Sequence, residues 1–497
     1  MSTDMCTDRR RTKIVATIGP ASESPHSVAD LMAAGMDVAR LNLSHGSLEG
    51  ALALYGRIRR TADEQRRQIG VLADLPGPKI RVAPCPRGGI VLEQDAEVIL
   101  RPGSTSSDGR VLEVDYEGLL DDVQAGDRVG LADGQILIEI SDVASAHLRG
   151  RVLHGGLLRG RPGFHVPADR LSIATPTPRD LRYAEAFVEA GVDFLGVSFV
   201  RGPEDLQALR AAVPAPGPLL VAKIETRMAV QNIDSIIAAT DAIMVARGDL
   251  GIEFPIEDLP HLQKDIIRRC IAGGRPAITA TQMLESMIES PVPTRAEASD
   301  VANAVFDGSS AVMLSAETAI GAHPVTVVAT MARIAQEADS RFDHARWAQN
   351  ITKLRMINPT QASLSITDAI TMAASRVVGE VDLAALVCVS GSGFTVRSMA
   401  RFRPRVPVLG FSADPRTVRQ LTLSWGVEPI CLASEIAYEP RVADAVAAAV
   451  AGGHVSAGDL VAVLAGINPA MRSTDVLRLL RVPEDLSDLW SAPQPAR

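Results

Sequence analysis

Aromatic residues are scarce in this chain of 497, at 3% against a hydrophobic total of 46%. The cores must therefore be built from Ala, Val, Leu and Ile, which suits parallel sheets covered by helices. Cysteine is scarce as well. Cys6, Cys85, Cys270, Cys388 and Cys431 lie far apart and form no CxxC pair. That spacing argues against a disulfide framework or a zinc site and for a reducing compartment. No apolar run is long enough to span a bilayer, and residues 1–9 lack the apolar core of a secretory signal. These absences predict a soluble, cytoplasmic protein. The net charge of −9 argues against broad nucleic-acid binding. The arginine-rich runs at 9–11 and 57–60 read as solvated faces or local anion contacts.

Against those absences stands a regular alternation. Short apolar runs at 13–18, 37–43, 70–75, 194–199, 219–225, 242–247, 277–281 and 311–315 read as strands. Seven of the eight are followed by helical patterns such as 204–212 and 260–272. Eight βα-type units in a row argue for a closed (β/α)₈ barrel rather than an open sheet. The third strand is followed instead by a stretch rich in Gly, Pro and Asp, with short apolar runs at 96–100, 128–131 and 136–140. That pattern predicts a small inserted all-β module, leaving the barrel at its catalytic face where it could serve as a lid. Beyond Phe342, strands at 383–389, 406–411, 428–432 and 460–464 with helices between them predict an open α/β domain. The expected organisation is a discontinuous barrel over 1–76 and 168–345, an inserted β-domain over 77–167 and a C-terminal α/β domain over 346–497. The loop Ser390-Gly391-Ser392-Gly393-Phe394-Thr395 joins a strand to a helix there and could cradle an anion, or be an ordinary βα turn.

Charge gathers at the strand ends. Lys223 and Glu225 are two apart, so on a strand they share a face. Asp249, just after the next strand, could bring a second carboxylate beside Glu225. Two hard oxygen ligands and a lysine suggest a magnesium-type site beside a cation that stabilises developing negative charge. Taken alone, the pair fits a structural salt bridge equally well. The other strand ends add Arg40, Asn42, Ser44 and His45, then Asp74 with Lys79 and Arg81 beyond it, then Arg247, Thr281, Gln282, Ser315 and Glu317. Cations suit a phosphorylated or carboxylated substrate, and carboxylates suit a divalent metal. Phosphoryl transfer needs both, since it rests on positioning and charge neutralisation. Single members have structural alternatives: Arg40 could pair with Asp74, and Asn42 or Ser44 could cap the next helix.

With these segments in order, the chain resembles the pyruvate kinase family. The likeness is carried by Thr12-Lys13-Ile14-Val15-Ala16-Thr17-Ile18-Gly19-Pro20, Arg40-Leu41-Asn42-Leu43-Ser44-His45-Gly46, Asp74-Leu75-Pro76-Gly77-Pro78-Lys79-Ile80-Arg81, Lys223-Ile224-Glu225, Ala246-Arg247-Gly248-Asp249-Leu250-Gly251, Thr281-Gln282-Met283-Leu284-Glu285-Ser286-Met287 and Thr294-Arg295-Ala296-Glu297. It extends over nearly the whole chain. The resemblance implies a (β/α)₈ barrel with an inserted small β-barrel domain and a C-terminal open α/β domain. It implies Mg²⁺-dependent transfer of the phosphoryl group of phosphoenolpyruvate to ADP, and a homotetramer. Glu225 and Asp249 would hold Mg²⁺, and a second Mg²⁺ would arrive with ADP. Lys223 would neutralise transition-state and enolate charge, and Arg40 would bind the phosphoryl group. Gly248, Asp249 and Thr281 would hold the substrate carboxylate. Thr281 also falls in the region that protonates the enolate, with Ser315 and Glu317 around it. His45 and Arg81 would face the nucleotide.

The departures are specific. Lys79 stands where potassium-requiring members carry Glu, beside Asn42, Ser44, Asp74 and the Leu75 carbonyl, which would otherwise form a monovalent-cation site. A lysine there supplies the charge of K⁺ and implies activity without potassium; the alternative is a solvent-facing lysine. Arg161-Pro162-Gly163 lacks a lid lysine, Ala316 replaces a usual Gly, and Ala465-Gly466-Ile467-Asn468-Pro469 is atypical. Ser390, Ser392 and Thr395 match the family's phosphate loop in part, so a phosphorylated effector is conceivable. Two competing readings are a metal-dependent lyase or aldolase acting on a pyruvate enolate, and a non-catalytic effector-binding protein on the same fold.

Overall fold

A computed structural model describes residues 9–132, 134–167, 170–357, 365–432, 438–466 and 473–490. The segment carrying Cys6, and Ile467, Asn468 and Pro469, lie outside the described residues. The chain opens with β1 (Lys13–Thr17), β2 (Val38–Asn42) and β3 (Gly70–Asp74). Eight short strands follow: β4 (Ile90–Leu92), β5 (Glu97–Pro102), β6 (Val111–Val114), β7 (Arg128–Leu131), β8 (Ile136–Val143), β9 (Leu148–His154), β10 (Gly156–Leu158) and β11 (Phe164–His165). Then come β12 (Phe194–Val197), β13 (Leu219–Ile224), β14 (Ala242–Ala246), β15 (Ala277–Ala280) and β16 (Ala311–Leu314). Strands β1–β3 and β12–β16 close into one barrel in the order β1-β16-β15-β14-β13-β12-β3-β2, every pair parallel. Each barrel strand ends within two residues of the limit read from the apolar runs.

Two-residue periodicity sorts each strand into an inner and an outer row. Ile14 and Ala16 pack outward with the helices, while Val15 joins a cluster with Val38, Leu72, Phe194, Val221, Met244, Ile278 and Met313. That cluster fills the barrel, as layered inward-pointing side chains do in this fold. Continuing the inner row by two residues towards the strand ends reaches Thr17 from Val15, Arg40 from Val38, Asp74 from Leu72, and Lys223 then Glu225 from Val221. The apolar plug is thus the floor on which the charged residues stand.

The eight strands between β3 and β12 form a six-stranded sheet, β11-β7-β8-β9-β5-β6, and a two-stranded pair, β10-β4, around a separate apolar cluster that includes Val98, Leu100, Leu112, Val129 and Ile138. Strands β4, β6, β9, β10 and β11 were not read from the sequence, being short or broken by Gly and Arg. The C-terminal sheet joins β17 (Ala385–Val389), β18 (Val408–Ser412), β19 (Val427–Cys431), β20 (Leu460–Ala465) and β21 (Val476–Arg481) in the order β19-β18-β17-β20-β21. Its antiparallel edge, β21, is half exposed and carries Arg478 and Arg481, so its composition does not resemble a buried strand.

The C-terminal domain docks beneath the barrel through buried polar anchors. Asp193, fully buried at the start of β12, accepts from the Val71 amide at 2.8 Å, from Arg419 Nε at 2.8 Å and from Arg59. Asp339 accepts from the Arg11 and Thr12 amides at 2.8 and 2.7 Å and from the Trp425 indole at 3.2 Å. Removing one partner of such a network leaves the others buried and uncompensated. Asp193→Ala is expected to lower unfolding stability by about 3–5 kcal/mol, and Asp193→Asn by clearly less. Denaturant titration of both variants checks this.

Candidate functional site

At the C-terminal mouth of the barrel, Lys223 is the hub. Its ammonium lies 2.7 Å from Glu225 Oε1 and 3.5 Å from Asp74 Oδ1, and it donates to Ser198 Oγ at 2.8 Å. Ser198 passes the contact on by donating to the Leu75 carbonyl at 2.8 Å. Arg40 lies on the other side of Asp74, donating to its Oδ2 from Nε at 2.8 Å and from Nη2 at 2.5 Å, and to Thr17 Oγ1 from Nη1 at 2.9 Å. Asp74 is 1% exposed and Glu225 2%. A Cβ on Gly196 would fall 2.6 Å from Asp74 Oδ1, so only glycine leaves room for this carboxylate. The second oxygen of Glu225 accepts from the Phe199 amide at 2.6 Å. Phe199 holds a φ of +55°, a left-handed conformation that a bulky residue adopts only under constraint.

The next two strands supply the rim. Gly248 and Asp249 follow β14 in the helix Arg247–Glu253. The Gly248 amide donates to Thr281 Oγ1 at 2.9 Å, and that hydroxyl donates to the Ala280 carbonyl at 2.6 Å. Thr281 and Gln282 have φ of +66° and +54°, costly for a β-branched residue. Arg247 holds this turn: it donates to the Thr281 carbonyl at 2.6 Å and grips Asp300 through both carboxylate oxygens at 2.8 and 2.7 Å. Glu317 is buried, accepting from the Ser315 amide at 2.6 Å and the Leu284 amide at 3.2 Å.

The charges set one another's protonation. Burial alone would raise Asp74, but Lys223 and Arg40 outweigh it and hold the carboxyl below its usual range. Burial works against the Lys223 ammonium, yet Asp74 and Glu225 raise its pKa above the ordinary lysine value. Asp249 makes no ion pair among the described residues, and Lys223, His165 and Lys79 only partly offset what raises it. Burial, and then repulsion from Glu225, push it up to about 7.

The structure thus brings Arg40, Asp74, Lys223 and Glu225 into one network, with Gly248, Asp249 and Thr281 at its edge. Asn42 and Ser44 are half-buried beside it, the Asn42 side chain accepting from the Ser44 amide at 3.2 Å. Lys79 is exposed at the mouth and its ammonium makes no hydrogen bond or ion pair among the described residues. It lies within electrostatic reach of Arg81, Lys223, Asp249 and Glu225. His45 is exposed nearby, its pKa lowered by partial burial and by Lys79, Arg81 and Arg40. Arg81 donates to the Arg161 carbonyl at 3.1 Å, and Arg161 pairs with Asp115 at 2.9 Å. In the C-terminal domain Thr395 is buried and its hydroxyl meets that of Thr474 at 2.5 Å, so it is committed inward while Ser392 is exposed. Three contributors escaped the sequence reading: Thr17, Ser198 and Phe199. All sit at the ends of strands one and four, which carry no charged side chain; the inner-row spacing alone would have found Thr17 and Ser198.

Two family models match. One described as "Pyruvate kinase, barrel domain" covers residues 9–328, and one described as "Pyruvate kinase, alpha/beta domain" covers 368–480. The chain belongs to the pyruvate kinase family. It is 38% identical over 475 residues to a pyruvate kinase of Bacillus licheniformis, spanning 95% of this chain and 80% of that protein. It is likewise 38% identical over 483 residues to a pyruvate kinase of Geobacillus stearothermophilus, spanning 96% and 81%. A pyruvate kinase of Staphylococcus epidermidis gives 38% over 469 residues, 94% and 79%. The chain is accordingly an enzyme, a phosphotransferase with pyruvate kinase function, and the lyase or aldolase alternative has no support among these relatives. No helix among the described residues is long and apolar enough to cross a membrane.

A raised carboxyl pKa means that the folded state is favoured while the group is protonated and loses stability as pH climbs through about 7. In the metal-free protein, Asp249→Asn should come within about 0.5 kcal/mol of the wild type only at pH 4, near the unfolded carboxyl pKa of about 3.9. At pH 8 it should be the more stable by ~2–4 kcal/mol. Unfolding curves at the two pH values decide it.

Proposed function

We propose that this barrel mouth transfers the phosphoryl group of phosphoenolpyruvate to ADP, giving pyruvate and ATP in the last step of glycolysis. The observation that supports it most is Lys223, held charged between Asp74 and Glu225 with Arg40 on the same inner row. Arg40 has five N–H groups and spends three on Asp74 and Thr17. The remaining two face outward tasks and would take the phosphoryl oxygens, a role suited to a guanidinium. Lys223, with its proton secured by two carboxylates, would neutralise charge as it develops on the phosphoryl group and on the enolate oxygen. The Gly248 and Asp249 amides, with Thr281, would receive the substrate carboxylate, which replaces the Thr281 hydroxyl as acceptor for Gly248. Thr281 Oγ, backed by Ser315 and Glu317, would then stand by the enolate as it takes a proton.

Members of the family generally use Mg²⁺ and K⁺. Among the described residues no group of three or more His, Cys, Asp or Glu side chains could hold a metal. Glu225 and Asp249 are two, and Mg²⁺ characteristically takes one or two carboxylates and completes its shell with water and phosphate oxygens. The mutual repulsion that raises Asp249 is what a divalent cation between the two would relieve, so the residues fit. Bound there, Mg²⁺ supplies charge neutralisation to the phosphoryl oxygens. Between the inserted domain and the barrel lies a cavity of ≈ 70 Å³ lined by Pro78, Lys79, Phe164, His165, Asp249 and Ile252. Lys79 of this cavity acts electrostatically on His45, as does Arg81, and His45 and Arg81 would face the nucleotide here. His165 Nε2 lies 3.1 Å from Glu253 Oε1, tying residues 77–167, the lid, to the barrel.

Asp74 Oδ1 is buried with no hydrogen bond, an acceptor suited to a monovalent cation together with Asn42, Ser44 and the Leu75 carbonyl. Lys79, reaching in from the mouth, would supply that charge and make the enzyme independent of potassium. On family grounds we add a homotetramer and a phosphorylated effector at Ser390 and Ser392.

Pyruvate should form from phosphoenolpyruvate only when ADP is present; pyruvate formation indifferent to ADP would defeat the phosphotransfer reading. In buffer free of sodium and potassium, activity should stay within about twofold of that with added K⁺. Lys79→Glu should gain K⁺ activation of roughly tenfold or more, the factor that ~1.4 kcal/mol of electrostatic stabilisation represents.

A further inference from the structure

A cavity of ≈ 10 Å³ lies where the C-terminal domain meets the barrel floor, far from the strand ends described above. Its wall includes Arg275, Arg397, Arg401, Arg403, Ser424 and Trp425. Four arginines therefore line a space the size of one small sphere. Among the described residues, only Arg401 of these four has a carboxylate at ion-pair distance, Asp368 at 2.8 Å. Arg403 is 1% exposed and donates to two neutral acceptors, the Val305 and Ser309 carbonyls, at 2.9 and 2.5 Å. Arg397 is 8% exposed; its Nη2 donates to the Ser392 carbonyl at 3.1 Å, and its Nη1 has no partner among the described residues. Ser424, 1% exposed, likewise has an unpartnered Oγ. Arg275 donates to the Ile237 carbonyl at 3.3 Å.

We propose that this cavity is a binding site for a small inorganic anion of halide size, shared between the barrel floor and the C-terminal domain. A buried positive charge without a counter-charge is costly, and here the residual charge of three arginines meets two unused donors in one place. Burial depresses Arg397 to about 10 and Arg403 to about 9, the response expected of cations lacking a close carboxylate. The volume excludes a nucleotide or sugar phosphate and admits a single compact ion. Because Ile271, Gly274, Arg275 and Ser310 come from the barrel and the rest from the C-terminal domain, the anion would cement their docking. Through Arg397 it would also bear on the backbone of the Ser390–Thr395 loop.

The full-length protein is melted in sodium chloride and in sodium gluconate at equal ionic strength, alongside Arg397→Met and Ser424→Ala; comparison with the variants removes the general salt effect. The wild type should gain about 2 °C in chloride over gluconate, saturating with concentration. Arg397→Met should lose that gain and Ser424→Ala should show a smaller one. An equal gain in wild type and Arg397→Met, or none in either, overturns the proposal. Crystals of the wild type grown in sodium bromide give a reading that needs no variant. An anomalous bromide peak between Arg397 and Ser424 supports the site, and a solvent site only, with bromide bound elsewhere, overturns it.

Discussion

Lys223 is held between two buried carboxylates, and most of the barrel mouth is arranged around that fact. Asp74 and Glu225 are each almost fully buried, and each would be costly to ionise alone. Lys223 and Arg40 hold the Asp74 carboxyl below its usual range, and Asp74 and Glu225 in turn keep the lysine protonated. Arg40 can then approach Asp74 as a second cation because the carboxylate is already ionised. Gly196 leaves space for that carboxylate, and Phe199 accepts a left-handed backbone to aim its amide at Glu225. Asp249, outside the clamp, shows the cost of a carboxylate with no ion pair among the described residues: its pKa climbs to about 7. The contrast between paired Glu225 and unpaired Asp249 is what makes the two together suited to a metal rather than to a further salt bridge.

Much of this was legible in the chain because a barrel strand has a period of two and one buried inner row. Val221, Lys223 and Glu225 are consecutive members of that row, so apolar plug and charged mouth follow from one register. Arg40 after Val38 and Asp74 after Leu72 repeat the pattern. Thr17 and Ser198 obey it too, but a neutral hydroxyl at a strand end looks like any turn residue, and only the partners across the barrel reveal its use. Lys79 illustrates the opposite difficulty. It lies in a loop, where no periodicity fixes direction, and exposure at the mouth alone does not mark its use.

The interface beneath the barrel could not be read from the chain at all. Arg419 meets Asp193 across 226 residues and Thr12 meets Asp339 across 327. Nothing local marks Arg397, on the helix Phe394–Ala400, or Arg401 and Arg403 just beyond it as buried, since arginine normally means solvent. The burial of Arg403 among Trp425, Phe342 and Trp347 gathers several of the chain's few aromatic rings at one spot, with its guanidinium 4.7–5.2 Å from all three. Aromatic scarcity elsewhere is compatible with the aliphatic barrel, whereas the domain junction uses flat rings to shelter cations.

The central claim is that the Lys223 ammonium, not merely its bulk, makes phosphoryl transfer possible. Lys223→Met keeps the length and apolar stem of the side chain while deleting the charge. Pyruvate formation from phosphoenolpyruvate and ADP should fall by at least about 10³-fold, as loss of a preorganised transition-state charge does, with the folded state retained by circular dichroism. A folded Lys223→Met enzyme with activity within tenfold of wild type would contradict the account.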